Sequence, residues 1–256
     1  THGYTISKRN LDIRTVGKEK VYDGTPLTSH EYELLNSTSA APGETIEVTY
    51  SGSQTNAGGS ENTVSSVKVK KNGASEPIVY TTDNYNINTI AGTLTVNPKP
   101  LKITAGSGSK TYDGTALTVN SFSTPESTSS DTDYALVSGE RVDSVTISGS
   151  QTNAGTSDNI PSHAVIKRGD GDNAATVTDN YSITYIKGTL SVNSRAVTIT
   201  ADDKTSCYGE SPARLTYSIT NPSDAGTMSD DKIIQELGIE VSTSVNSEPV
   251  SFTTPV

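Results

Sequence analysis

Apolar and polar residues alternate in short runs along most of the chain, and the runs recur in one order. Leu11 and Ile13, Leu101 and Ile103, and Val197 and Ile199 each set two apolar side chains two residues apart. That is the period of a strand with one buried face. Further runs follow in two of these places: Val48 and Tyr50, then Val145 and Ile147. Val67 and Val69 lead into Lys71-Asn-Gly73, and Val165 and Ile166 lead into Arg168-Gly-Asp-Gly-Asp-Asn173, where Asn-Gly and Asp-Gly predict hairpin tips. Asp83-Asn-Tyr85 and Asp179-Asn-Tyr181 open the next strand, through Ile87 and Ile183. Gly92-Thr-Leu-Thr-Val96 and Gly188-Thr-Leu-Ser-Val192 close each set.

The register of these sets is marked by Lys20-Val-Tyr-Asp-Gly-Thr25, which returns as Lys110-Thr-Tyr-Asp-Gly-Thr115 and, decayed, as Cys207-Tyr-Gly-Glu-Ser211. Gly supplies a positive φ and Asp bonds its own backbone, so the stretch reads as a tight turn between strands. Ser51-Gly-Ser-Gln-Thr-Asn-Ala-Gly58 is repeated without change from Ser148 to Gly155. The steps from Leu11 to Leu101 and on to Val197 are whole-domain lengths, far above those of a solenoid.

The expected organisation is residues 1–9 as the last strand of a preceding repeat, since Tyr4 and Ile6 align with Leu94 and Val96. Residues 10–97 and 98–194 are then two complete repeats, and 195–256 a truncated third. The chain reads as a piece of a longer array. Asn97-Pro-Lys-Pro100 and Asn193-Ser-Arg195 are connectors too short to swivel freely, which predicts a semi-rigid rod. In the third segment Ser229-Asp-Asp-Lys-Ile-Ile-Gln-Glu-Leu-Gly238 has a Ser N-cap, an acidic first turn and a terminal Gly, which predict one short helix.

Composition agrees with a mostly β protein of thin cores. Hydrophobic residues make up 31%, and the aromatics are nearly all Tyr. A net charge of −10 argues against nucleic-acid partners, which need clustered Lys and Arg. No apolar run is long enough to span a membrane as a helix. The single cysteine, Cys207, has no partner for an internal disulfide; aligned with Val21 and Thr111, it reads as a small half-buried structural thiol.

The Lys-x-Tyr-Asp-Gly-Thr start, with the Asp-Asn-Tyr and Gly-Thr-Leu-x-Val finish, resembles the YDG-type repeats of bacterial surface adhesins. Lys204 to Thr216, with Tyr208-Gly209, Pro212 and Leu215-Thr-Tyr217, is similar to the related YGX-type MBG ("mostly beta grasp") domain. The resemblance implies tandem β-grasp-like domains in a secreted protein of the cell wall or outer surface, serving as a stalk or adhesive region. Neighbouring repeats would be its partners, with a host or matrix glycan or glycoprotein as a further one. It implies no reaction and no cofactor.

Candidate chemistry is sparse. His2, His30 and His163 do not coincide between repeats, so no acid–base constellation recurs. Arg168-Gly-Asp170 spells an integrin-recognition tripeptide on a hairpin tip, and Asp170 to Asn173 offers oxygen atoms to Ca²⁺ without the spacing of a known site. Lys20 and Lys110, with Asn84 beside Asp83 and Asn180 beside Asp179, supply the ingredients of an intramolecular Lys–Asn isopeptide bond; a surface Lys and a turn-forming Asp-Asn is the competing reading. In the repeated octapeptide, Gln54, Thr55 and Asn56, and again Gln151, Thr152 and Asn153, could bond a sugar; a loop bonding its own backbone is the alternative.

Overall fold

The computed structural model describes residues 3–73, 80–125, 134–210 and 216–220. The chain is mostly β, with short 3₁₀ turns. It gathers into two compact units: Thr1–Ile103 with Thr124–Thr146 and Ser162–Tyr185, and Thr104–Ser123 with Ile147–Pro161 and Ile186–Val256. The second sequence copy thus contributes to both.

The first copy supplies β1 (Arg9–Thr15), β2 (Lys18–Val21), β3 (Tyr32–Leu34), β4 (Glu44–Ser51), β5 (Gly58–Lys71), β6 (Tyr85–Ile90) and β7 (Gly92–Asn97). They form a three-stranded sheet in the order β3-β1-β6 and a four-stranded sheet in the order β2-β7-β5-β4. β1 runs parallel to β6 with Leu11 opposite Ile87, and β2 parallel to β7 with Lys20 opposite Val96. The alternation read from the sequence appears as burial: Leu11, Ile13 and Thr15 point inward and Arg14 outward. Leu11, Ile13, Val69 and Tyr85 form the core between the sheets, with Leu34, Ile46, Val48 and Val67 against it.

The strand order then repeats as β8 (Lys99–Ala105), β9 (Gly108–Thr111), β10 (Phe122–Ser123), β11 (Glu140–Ser148) and β12 (Gly155–Arg168). It continues with β13 (Ala175–Thr176), β14 (Tyr181–Ile186) and β15 (Gly188–Asn193). β13 folds back on the end of β12, with Arg168 opposite Ala175, at the hairpin tip that Asp-Gly predicts. In the first unit Leu101, Ile103, Ile166 and Tyr181 build the equivalent core. In the second unit, β12 pairs antiparallel with β15, and β15 runs parallel to β9. β16 (Thr198–Ala201) and β17 (Tyr217–Thr220) pair antiparallel, Ile199 opposite Ile219.

One expectation fails here and one is not reached. Cys207 is exposed, as are its aligned residues Val21 and Thr111. Side chains alternate across a strand, so where the following Tyr22 turns inward, Val21 must face out. The helix expected over 229–238 lies outside the described residues. Tyr4 and Ile6 belong to no strand and are exposed.

Candidate functional site

The turn after β2 closes on itself. Lys20 Nζ donates to Asp23 Oδ1 at 2.6 Å, to the Thr25 carbonyl at 2.6 Å and to Thr25 Oγ1 at 2.8 Å. The Thr25 amide and hydroxyl donate to the same Asp23 oxygen, at 2.8 and 2.7 Å. Lys110, Asp113 and Thr115 repeat every one of these bonds in the second unit. The Lys20 hydrogen bond, then the Thr25 amide, holds the Asp23 carboxyl down at about 2, and Lys110 likewise holds Asp113 below the usual carboxylate range. Gly24 sits at φ +80°, which a side chain would strain; a Cβ there would also stand 2.6 Å from Arg168 Nη2.

The closed turn aims Tyr22 into an apolar cluster built largely by the second copy. Its ring, 1% exposed, lies with Leu101, Ile103, Ala164, Ile166, Val177 and Tyr181, and Val96 and Leu27 arrive beside it. It meets Tyr181 edge to face, centroids 5.7 Å apart, a favourable aromatic geometry. A polar network joins the two phenols. Tyr22 donates to Glu140 Oε1 at 2.6 Å, and Tyr181 donates to Glu140 Oε2 at 2.5 Å. Arg168 donates through Nε to Glu140 Oε1 at 3.0 Å and through Nη2 to the Tyr22 hydroxyl at 2.7 Å. The Glu140 side chain has no exposed surface, whereas Arg168 keeps 36% of its own. A buried carboxylate is tolerable only when its charge and lone pairs are met, and here one guanidinium and two phenols meet them. Burial, then the Glu140 contact, pushes the Tyr22 phenol up to about 12; the same causes raise Tyr181.

A second link in the same unit joins the first octapeptide loop to Asn180. The Ala57 amide donates to Asn180 Oδ1 at 2.7 Å, and Asn180 Nδ2 donates to Asn56 Oδ1 at 3.2 Å. Gln54 Nε2 turns to the Asn56 carbonyl at 2.7 Å, and the Gln54 backbone pairs with Leu27. Gln151 repeats the side-chain bond to Asn153 and the backbone pairing, with Leu117, while Thr152 and Asn153 stand exposed. The octapeptide's identity has a packing cause as well. A Cβ on Gly52 would meet the Glu61 carbonyl at 2.6 Å, and one on Gly149 would meet the Asp158 carbonyl at 2.7 Å.

The isopeptide candidates are exposed or have other partners. Lys20 and Lys110 are held by their own turns, and Asp83, Asn84 and Asp179 are exposed in 3₁₀ turns at the heads of β6 and β14. Asn180 is buried, its amide taken by the Asn56 loop. Arg168 is spent on Glu140 and Tyr22 rather than displayed with Asp170, which lies 3.6 Å from Arg141. Glu140 is the site residue that sequence reasoning missed, and Arg168 was read there only as part of the exposed tripeptide. The available signal was a Gly-Glu pair, Gly43-Glu44 and Gly139-Glu140, in register with a cation, Lys71 or Arg168, at the end of the long strand. Among the described residues no helix is long and apolar enough to cross a membrane. Comparison with protein-family models, curated proteins and solved structures gives no match for the chain.

Proposed function

We propose that the chain is a non-enzymatic stalk and adhesive repeat region of a secreted bacterial cell-surface protein, built of YDG-type and MBG β-grasp-like repeats set end to end as a semi-rigid rod. The observation that supports this reading is the seating of Tyr22 on Tyr181, Glu140 and Arg168. A stalk must pass tension from one repeat to the next. A junction whose ring is buried and whose hydroxyl is bonded on both sides shares that load with the connecting peptide. The Asn56–Asn180 link adds a second point of attachment beside it.

Small-angle scattering from the full chain, with pulling of single molecules from their two ends, tests the proposal. An elongated particle whose first rupture force drops on Tyr22→Ala is expected. A compact particle, or a rupture force indifferent to Tyr22, refutes the stalk. The alternative, a carbohydrate- or glycoprotein-binding module, is favoured at one place only, the exposed loop of Thr152 and Asn153. Glycan-array binding abolished by Gln151→Ala and Asn153→Ala would move the assignment there.

A further inference from the structure

The first copy pairs its two ends with each other. β1 runs beside β6 from Arg9 opposite Tyr85 to Arg14 opposite Ile90, and β2 runs beside β7 from Lys18 opposite Leu94 to Val21 opposite Asn97, both in parallel. The offset between partners is the same in both sheets, so residues 9–21 and 85–97 form one ladder that turns a corner as it passes from the first sheet to the second. The Tyr22 amide extends it, donating to the Asn97 carbonyl at 2.8 Å.

At the corner, where β1 gives way to β2 and β6 to β7, side chains add to the backbone pairing. Thr15 is buried; its Oγ1 donates to the Asn62 carbonyl and accepts the Gly92 amide at 2.7 Å. Asn62, buried as well, donates through Nδ2 to the Val16 and Ser29 carbonyls, each at 3.1 Å. The strands approach too closely here for side chains on both. A Cβ on Gly17 would stand 2.6 Å from the Thr93 carbonyl, and one on Gly92 would run into that of Thr15. In the second unit Asn159 likewise donates to the Gly106 and Val119 carbonyls, at 2.9 and 2.8 Å, while Ala105 stands in the place of Thr15.

We propose that the ladder of 9–21 with 85–97, locked at its corner by Thr15 and Asn62, is a tension clamp that lets the first copy withstand pulling from its own two ends. Arg9 and Asn97 lie at opposite ends of a parallel ladder, so drawing them apart slides one strand along the other. The hydrogen bonds run between the strands, across that pull, and many must fail together. Two ends that lie side by side would instead open the ladder one rung at a time. Sliding is opposed again at the corner, because Thr15 ties β1 to Gly92 of β7 and to Asn62 of β5. The tension is that of the stalk proposed above, on which this inference rests; resistance to it follows from the strand order.

The test pulls single molecules of the full chain, carrying Cys207→Ser, by handles on pairs of cysteines introduced at exposed positions. Lys8→Cys with Pro98→Cys draws the ladder along its length. Lys8→Cys with Asp83→Cys starts from two ends that lie side by side and opens it rung by rung. Forced unfolding is governed by the unfolding barrier, and the lengthwise rupture force should exceed the sideways one by about twofold or more. Both pairs are repeated with Tyr22→Ala, which removes the junction's share of the load, and the contrast should persist. Equal forces in the two directions, or a contrast that disappears with Tyr22, overturn the clamp. Thr15→Val keeps the shape and loses both hydroxyl bonds. It should lower the lengthwise force and leave the sideways one, whose first rung is Arg9 with Tyr85. An equal loss in both directions, or none, removes Thr15 from the lock. Clamp and stalk fail separately: scattering and the effect of Tyr22 on the first rupture judge the stalk, and the dependence of force on direction judges the clamp.

Discussion

The two apolar clusters of the first unit start from matching strands and end differently. Around Tyr181 the ring of Tyr22 seals the cluster, and a carboxylate with no exposed surface sits inside it. Around Tyr85 the same carboxylate position, Glu44, is bonded to the tyrosine and faced by an exposed Lys71. At the junction the carboxylate meets a second phenol and a guanidinium as well. Each copy brings a tyrosine, an acid and a cation, and where the turn arrives from the copy ahead they are bonded into one network. The three turn tyrosines follow the same lesson. Tyr22 is 1% exposed, Tyr112 is half-buried, and Tyr208 stands fully in solvent.

Tyr22→Ala is the strongest way to break the comparison. It removes a buried aromatic side chain and leaves Glu140 and Arg168 one partner short, a loss of about 3–5 kcal/mol by urea unfolding. Tyr208→Ala, at an exposed ring, should change stability by no more than about 0.5 kcal/mol. If the two substitutions cost the same, Tyr22 is not the seal. Glu140→Gln comes next. Deleting one charge of a buried pair costs about 3–5 kcal/mol when both partners are enclosed, and Arg168 still reaches water, so about 2–3 kcal/mol is expected. Glu44→Gln should cost clearly less, and equal losses would show that Glu140 owes nothing to the junction.

The same network sets an alkaline limit. The Tyr22 phenol is raised from its ordinary value to about 12, so the stability it contributes is whole below about pH 10 and is lost as pH rises toward 12. Phenolate absorbance and unfolding should therefore rise together in that window. Tyr22→Phe, which cannot ionise, should flatten the loss, and an unchanged alkaline limb would remove Tyr22 from its cause.

Much of the fold was legible because period-2 alternation and turn chemistry are local. Leu11, Ile13, Val69 and Leu94 are buried where alternation put them, and the Asp-Gly turn closes through Asp23 as its side chain allows. The junction was not legible, because nothing in Tyr-Asp-Gly-Thr says whose core the tyrosine enters. Glu140 and Arg168 belong to separate strands, and no local pattern announces that they meet. Arg168-Gly-Asp170 misled for the same reason: a tripeptide is read as displayed, whereas the Arg side chain bonds Glu140 and Tyr22. The octapeptide suggested a binding loop because it repeats. In the first unit its Asn56 and Ala57 do bind something, the neighbouring Asn180.

That link gives a smaller test. Asn180 is buried and bonded to both Asn56 and Ala57, so Asn180→Ala should cost about 1–2 kcal/mol. Asn84, its exposed counterpart, should tolerate Ala within about 0.5 kcal/mol. Thermal unfolding of the two variants side by side decides whether the contact is structural or incidental.

The smallest effect separates the turn from the Tyr181 cluster it serves. Asp23 is held at about 2, first by Lys20 and then by the Thr25 amide, neither of which belongs to the Tyr181 cluster. Its folded-state value lies below the unfolded one, so its contribution is present above about pH 4 and is lost as pH falls toward 2. Over half of its side chain is open to water, so the contribution is screened and small. An NMR titration of the Asp23 side-chain carboxyl in the Tyr22→Ala protein sharpens the point. A midpoint that stays near 2 means the turn is preformed and merely presents its tyrosine. A midpoint that climbs toward 4 means that seating Tyr22 on Tyr181 itself builds the turn.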